Sequence, residues 1–376
     1  MLRSLSIAAA GTGVAAALAI ACSGSLEPTT GVFQTPGQAS TPEQAPSQGP
    51  TLTPQVSGTS QRLQAVSPVN DKVVWASGLG GTFAVTTNGG NTWLSRVVPG
   101  AEELQFRDVH GVSEKVAYLL SAGEGSDNRI YKTKDGGATW TLQFQAGTDP
   151  RNFYDCFDFW SPDRGITFAD AVDGIFPVIR TLNGETWQNI GDRLPPAQAG
   201  EAGFAASGTC VATLGGKRAW IATGAAEKAR ILATTDGGAT WKAYDTPIVQ
   251  GTPSSGGFSV AFRDPFRGIL GGGELDPDLP QGPNVAVSSD GGKSWSTDGV
   301  GQNPFPGAIF GLTYVPGFGQ RTVVATGPGG TAWSRDEGHT WTNLAADVTG
   351  FWAVAFAGRK AGWLVGTEGR ILKVSF

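Results

Sequence analysis

The stretch TTDGGATW, Thr234 to Trp241, decides how this chain is read, because it recurs. Copies stand as TTNGGNTW at 86–93, TKDGGATW at 133–140, SSDGGKSW at 288–295 and SRDEGHTW at 334–341, with a shortened copy, TLNGETW, at 181–187. The tryptophans that end the copies are Trp93, Trp140, Trp187, Trp241, Trp295 and Trp341, so successive gaps are 47, 47, 54, 54 and 46 residues. A period of this size identifies a repeat architecture. Within each unit three short apolar runs precede the box and one follows it, as in FSVAFRD (258–264), RGILGGG (267–273) and NVAVSSD (284–290), then the residues after Trp295. Four short strands per unit make one propeller blade. After the last box come GFWAVAFAG, AGWLVGTEG and RILKVSF (350–376), a seventh unit with three strands and no box. A blade short of its outer strand leaves an unpaired edge, and TLTPQVSGTSQ, just before RLQAVSPVN, supplies the missing strand. The expectation is an all-β, seven-bladed propeller of four-stranded blades over residues 51–376. Residues near 53–60 are expected to close it by pairing with 370–376.

The box is expected to be a fastening. In D-G-G the carboxylate accepts backbone N–H bonds across a hairpin turn, Gly supplies positive φ, and the Ser/Thr and Trp pin the turn to the blade. Asp135, Asp236, Asp290 and Asp336 fill the acidic position, but Asn88 and Asn183 replace it in two copies. An amide oxygen can fasten a turn; it cannot perform carboxylate chemistry.

Composition fits this reading. The 376 residues include 56 Gly and 23 Pro, with a formal net charge of -5. Lys and Arg are scattered singly, so there is no basic stripe for phosphates, and nucleic acid is not an expected partner. The opening MLRSLSIAAAGTGVAAALAIAC places one Arg before a short Ala-rich run and then a Cys, as secretory signals do. Residues 1–21 therefore read as a signal peptide, and Cys22, after LAIA, as the site of lipidation. Residues 22–50, rich in Pro, Ser, Thr and Gly, lack the apolar side chains needed to offset the entropy of ordering and read as a tether. The chain is then extracytoplasmic and lipid-anchored to a bacterial membrane.

The S/T-x-D-G-G-x-T-W box resembles the Asp-box, or bacterial neuraminidase repeat. The couplings GWLVGTEGRILK (362–373) and RIYKTKDGGATW (129–140) resemble the photosystem II stability and assembly factor family and its bacterial relatives. GEAGFAASGTC (200–210) and FSVAFRDPFRGILGGG (258–273) resemble a bacterial branch often named oxidoreductase or glycosyl hydrolase. The resemblance implies a seven-bladed extracytoplasmic propeller that binds other proteins, a membrane complex included, as a scaffold. Photosynthetic members hold an assembly intermediate against an Arg-rich patch; this acidic chain has no such Arg cluster, so the scaffold role is the transferable part.

Loops joining successive blades, together with those between second and third strands, form the face where propellers bind ligands, opposite the box turns. The candidates for this face are Tyr154, Asp155, Asp158, Asp170, Asp173, Glu201, Glu274, Asp276 and Asp278, with Arg107 and Arg151 as counter-charges. Two readings stand: an acidic channel mouth able to hold a cation or polar ligand, and a solvated rim of carboxylates bonded to backbone. The mouth reading supports a second function, a secreted carbohydrate-active enzyme or glycan-binding module, since glycosidases need paired carboxylates. No metal and no cofactor is expected: ELDPDLP lacks a calcium-loop signature, no strand–GxGxxG–helix unit occurs, and His110 and His339 are the only histidines. Cys156 and Cys210 occupy matching repeat positions, either as a disulfide or as two buried thiols. A monomer is expected.

Overall fold

The computed structural model describes residues 49–345 and 347–376. The expected signal, Cys22 and most of the tether lie outside the described residues. Seven antiparallel sheets follow one another along the chain. The first strands of the units, which are the innermost, are Leu63–Pro68, Phe106–Gly111, Tyr154–Ser161, Val211–Leu214, Ser255–Phe262, Gly311–Tyr314 and Phe351–Gly358. In blade five the fourth strand shrinks to a single bridge between Val287 and Ser296.

The seventh blade is completed from the other end of the chain. Thr51–Gln55 pairs antiparallel with Ile371–Ser375, Thr51 opposite Ser375 and Gln55 opposite Ile371, slightly earlier than the expected 53–60. The inner strand of blade one packs on that of blade seven, so the ring is shut.

Burial explains why runs such as VWASG (Val74–Gly78) are apolar throughout while outer strands such as Leu94–Val97 are mostly exposed. Second and third strands are sandwiched between neighbouring sheets on both faces, so alternation gives way to continuous apolar character. Each seam between blades has its own core. Six of the seven are capped by one box tryptophan: Trp93, Trp140, Trp187, Trp241, Trp295 or Trp341. The seam between blades six and seven has no box tryptophan, and the terminal Phe376 fills it. Its ring centroid lies 5.0 Å from Phe318 and 5.2 Å from Trp333.

The box turn forms the bonds anticipated from its residues. Asp135 accepts from the Thr139 N–H (2.9 Å) and hydroxyl (2.6 Å), and the Thr133 hydroxyl accepts from the Gly137 N–H (2.9 Å). The bonds from the Thr139 hydroxyl first, then from its N–H and from the Thr133 hydroxyl, hold the Asp135 carboxyl down at about 2. Asn88 accepts the Thr92 N–H in the same way, and in the shortened copy Asn183 accepts from Glu185 and Thr186.

Candidate functional site at the channel mouth

Near its start, the inner strand of five blades carries a bulge, which leaves one residue out of the ladder: Gln64, Arg107, Asp155, Phe258 and Trp352. A bulge re-aims the side chain it frees, and here it sets these residues round the axis. Contacts run from one to the next. The Trp352 ring lies 4.9 Å from Phe310, Phe310 6.0 Å from Phe258, and Phe258 4.0 Å from Phe204. On the other side the Arg62 guanidinium stacks 4.0 Å over Trp352, and Arg107 lies 5.7 Å over Phe153. One arc of the mouth, blades five to seven, is aromatic. The opposite arc, blades one to three, is polar and carries two guanidiniums.

The axis itself is filled. The segment Gly203–Thr209, from the connection between blades three and four, crosses the ring. Arg107 of blade two donates to the Ala205 carbonyl (3.4 Å), and Ser207 donates to the Phe310 carbonyl of blade six (2.6 Å). Thr209 bonds Ser259 of blade five (2.8 Å). Gly208, at φ +75°, lies against Asp108, and a β-carbon there would stand 2.2 Å from the carboxylate, so this step of the plug requires glycine. The plug then enters Cys210, which is disulfide-bonded to Cys156 with the Cα atoms 5.9 Å apart. The choice between disulfide and free thiols is thus decided in favour of the bond.

Electrostatics follow burial. The Arg107 guanidinium is pushed down to about 10 by burial and then by the charge of Arg62, opposed by Asp155. Burial drives Asp108 well above the usual carboxylate range, although the Phe157 and Val109 N–H groups oppose it. Deeper along the inner strand, Asp158 is raised to about 6 by burial, opposed by bonds from the Phe159 and Thr213 N–H groups. Next to it His110 stacks on Phe159 at 4.3 Å and is lowered to about 4 by burial.

Of the residues singled out in the sequence, Arg107 and Asp155 meet at the mouth, where Gly203 packs against the Asp155 carboxylate. The others are fastened separately. Glu201 is buried and ion-paired with Arg230, and it accepts the Thr223 hydroxyl. Glu274 is buried beneath the Thr252 hydroxyl and accepts the Asp276 N–H. Asp170 accepts the Gly203 N–H, and Asp276 accepts the Asp278 N–H. Exposed Arg151 bridges Asp149 and Asp173. Tyr154 is buried against Phe144, which pushes its hydroxyl above the usual range. Among the described residues no group of three or more His, Cys, Asp or Glu could hold a metal ion. His339 sits in its box turn with Nδ1 2.6 Å from the Gly299 carbonyl oxygen.

Arg62, Gln64, Phe204, Phe258, Phe310 and Trp352 were not singled out. For Gln64, Phe258, Phe310 and Trp352 a signal existed: the entries to the inner strands align as LQAV (63–66), FRDV (106–109), YDCF (154–157), GTCV (208–211), GFSV (257–260), IFGL (309–312) and FWAV (351–354), with the mouth residue always second.

No protein-family model and no curated protein matches this chain. Solved structures do. YCF48 bound to a D1 peptide aligns at TM-score 0.60 and 16% identity, over 86% of this chain and 97% of that one. YCF48 from Cyanidioschyzon merolae aligns at 0.57 and 17%, over 86% and 98%. A GH74 xyloglucanase from Xanthomonas campestris aligns at 0.55 and 15%, over 85% of this chain but 53% of its own. At such identities the likeness establishes a shared propeller fold, and function rests on the site.

Proposed function

We propose that the protein is an extracytoplasmic scaffold, lipid-anchored through Cys22, whose channel mouth binds segments of other proteins. The observation that carries this reading is the plug. Gly203–Thr209 fills the axis and leaves a surface with an aromatic arc beside a cationic one. Aromatic side chains and Arg are the residues that dominate protein recognition. The fold shared with a YCF48 bound to a D1 peptide supports it, as does the resemblance of the boxes to the Asp-box of secreted propellers. The test is cross-linking in native membranes, then affinity purification of wild type and of a Trp352→Ala, Arg62→Ala variant. A stoichiometric protein partner lost from the variant is expected; the same partners at the same yield from both would refute the assignment of this face. Metabolic labelling with a fatty-acid analogue, absent from Cys22→Ser, tests the anchor.

A second reading, glycan binding, rests on a cleft of about 610 Å³ on the box face, lined by Phe318, Phe356, Arg263, Asp264 and Tyr314. Beneath it Glu337 takes the place of a box glycine at φ 64°. Bonds from Arg263 Nε (2.7 Å) and the Tyr314 hydroxyl (2.7 Å) hold its carboxylate in that strained position. Aromatic faces beside fixed polar groups suit sugars, and binding of neutral oligosaccharides lost in Phe318→Ala would support this reading.

A further inference from the structure

Cations that stand singly along the sequence are gathered by the fold onto one face. In every blade the turn between the first and second strands, on the box face, ends in Lys or Arg at one aligned position. The copies are KVVW (72–75), KVAY (115–118), RGIT (164–167), KRAW (217–220), RGIL (267–270), RTVV (321–324) and KAGW (360–363). Folding needs only the backbone there. The carbonyls of Lys72, Lys115 and Lys217 accept the N–H of the box glycines Gly89, Gly136 and Gly237 (2.9, 2.9 and 2.8 Å), a bond that any residue can supply. The charge on the side chain is an addition that the turn does not require. Lys72, Lys115, Lys217, Arg359 and Lys360 are exposed and join no ion pair among the described residues. Asp71, Glu114 and Asp163 precede the cation in blades one to three, and Asp264 holds Arg263 in blade five. Positive charge is therefore concentrated on blades four, six and seven, where Lys217 with Arg218, Arg321, and Arg359 with Lys360 share their turns with no acid.

Three further observations point to what this face meets. Phe266, in the same turn of blade five, is 57% exposed, and the turn that presents it is fixed by Asp264, which accepts the Phe266 and Arg267 N–H groups (2.8 and 2.9 Å). The chain also enters the propeller here. Third strands run toward the box face, and Thr51 pairs with Ser375 at that end of the third strand of blade seven, so a lipid on Cys22 is joined to the head at the box face. On the opposite face the loops expose Glu102, Glu103, Asp127, Glu227, Asp278 and Glu368. Clustered cations are drawn to anionic headgroups over about a Debye length, and an aromatic ring among them sits at headgroup level. We propose that the box face, from blade four to blade seven, is a docking surface for a bilayer carrying anionic lipids. The cations lie on the headgroup phosphates, Phe266 enters the interfacial layer, and the acidic mouth is turned away from the membrane toward its protein partner. This goes beyond the scaffold reading and rests on it for the anchor that brings the head to a bilayer.

The experiment is co-sedimentation of the full chain carrying Cys22→Ser with two kinds of vesicle, phosphatidylcholine alone and phosphatidylcholine with about 30% phosphatidylglycerol, at low and high salt. Any pull of residues 1–21 is common to both vesicles, so the difference between them reads the box face. Partition onto the anionic vesicles is expected to be at least tenfold stronger and to fall as salt is raised. The triple variant Lys217→Gln, Arg359→Gln, Lys360→Gln, checked for unchanged thermal unfolding, is expected to lose most of that preference, and Phe266→Ser to weaken binding to the anionic vesicles several-fold. Orientation is read from an environment-sensitive label on an introduced thiol, since Cys156 and Cys210 are bonded to each other. A label at Gln320→Cys, on the box face, is expected to be shielded from an aqueous quencher by anionic vesicles, and one at Ile175→Cys, on the mouth face, to stay accessible. Equal binding to both vesicles, a preference retained by both variants, or equal shielding at the two labels overturns the proposal. Full displacement by an equal charge of soluble heparin overturns it too, because the face would then read a polyanion and not a bilayer. Fatty-acid labelling of Cys22 with no preference for anionic vesicles would leave the anchor standing while the docking face fails; the preference without labelling would do the reverse.

Discussion

Gln55 is the residue on which closure of the ring can be tested. It ends the closing strand, and its side chain makes three bonds, two across to blade one and one within blade seven. Its Oε1 accepts from Trp93 Nε1 (3.0 Å) in blade one and Trp363 Nε1 (3.2 Å) in blade seven, while its Nε2 donates to the Gly89 carbonyl (3.1 Å). Trp363 is 0% exposed, so its indole N–H has no route to water once the acceptor is removed. Gln55→Leu keeps most of the volume and removes the acceptor. Stranding the Trp363 donor costs about 1–3 kcal/mol; Trp93 is only half-buried and adds less. Because the strand Thr51–Gln55 is tied to the ring by its ladder and by this side chain, the loss falls on local opening. Hydrogen exchange of the strand amides, followed by mass spectrometry on the full chain, should accelerate about 5- to 150-fold, the equivalent of that cost. Gln143→Leu is the control: Gln143 makes the corresponding bonds to Trp187 and the Gly184 carbonyl within the ring, and its loss should leave exchange of residues 51–55 unchanged. Exchange in Gln55→Leu within twofold of wild type would refute the claim that this side chain latches the closing strand.

Three further outcomes are expected. Replacing both Cys156 and Cys210 by Ser opens a link across 54 residues; the chain-entropy estimate is a loss of about 4 kcal/mol, read by urea unfolding, with faster exchange in the plug 203–209. Phe376→Ala should cost about 2 kcal/mol, less than a fully buried Phe because the side chain is half-buried, and should expose the seam between blades six and seven to protease first. The Asp135 carboxyl is lowered in the folded state to about 2, so its contribution is present above pH 4 and is lost as pH falls toward 2. The stability difference between wild type and Asp135→Ala, followed by thermal unfolding from pH 6 to pH 2, should therefore shrink across that interval, and a constant difference would count against the carboxylate as the fastening group.

The repeat made the fold legible because each box writes one local structure. A carboxylate or amide, two positive-φ positions and a Trp can be satisfied within eight residues, so the turn at 133–140 could be read without knowledge of its neighbours. The odd unit at the end was equally readable, since three strands with no fourth leave an edge that only the start of the propeller can cover. The mouth was less legible. Arg107 and Asp155 were found as charges of the right face, although they stand at inner-strand bulges and not on loops, whereas Gln64, Phe258 and Trp352 resemble ordinary strand residues until the bulges take them out of the ladder. The carboxylates of blades three to five look like a cluster along the chain; in space Glu201 turns to Arg230 and Glu274 to Thr252.

The sequence by itself thus determined the all-β class, the blade number and the role of the box, because these depend on period and on contacts within a few residues, and it called for the closing strand because a three-stranded last unit leaves an edge. Only the tertiary structure decided that Gly203–Thr209 crosses the axis, that Cys156 and Cys210 bond, that Phe376 stands in for the absent seventh box, and which side chains face one another at the mouth. Those outcomes depend on distances between residues about 50 to 300 apart in the chain, which ring closure sets and no local pattern encodes.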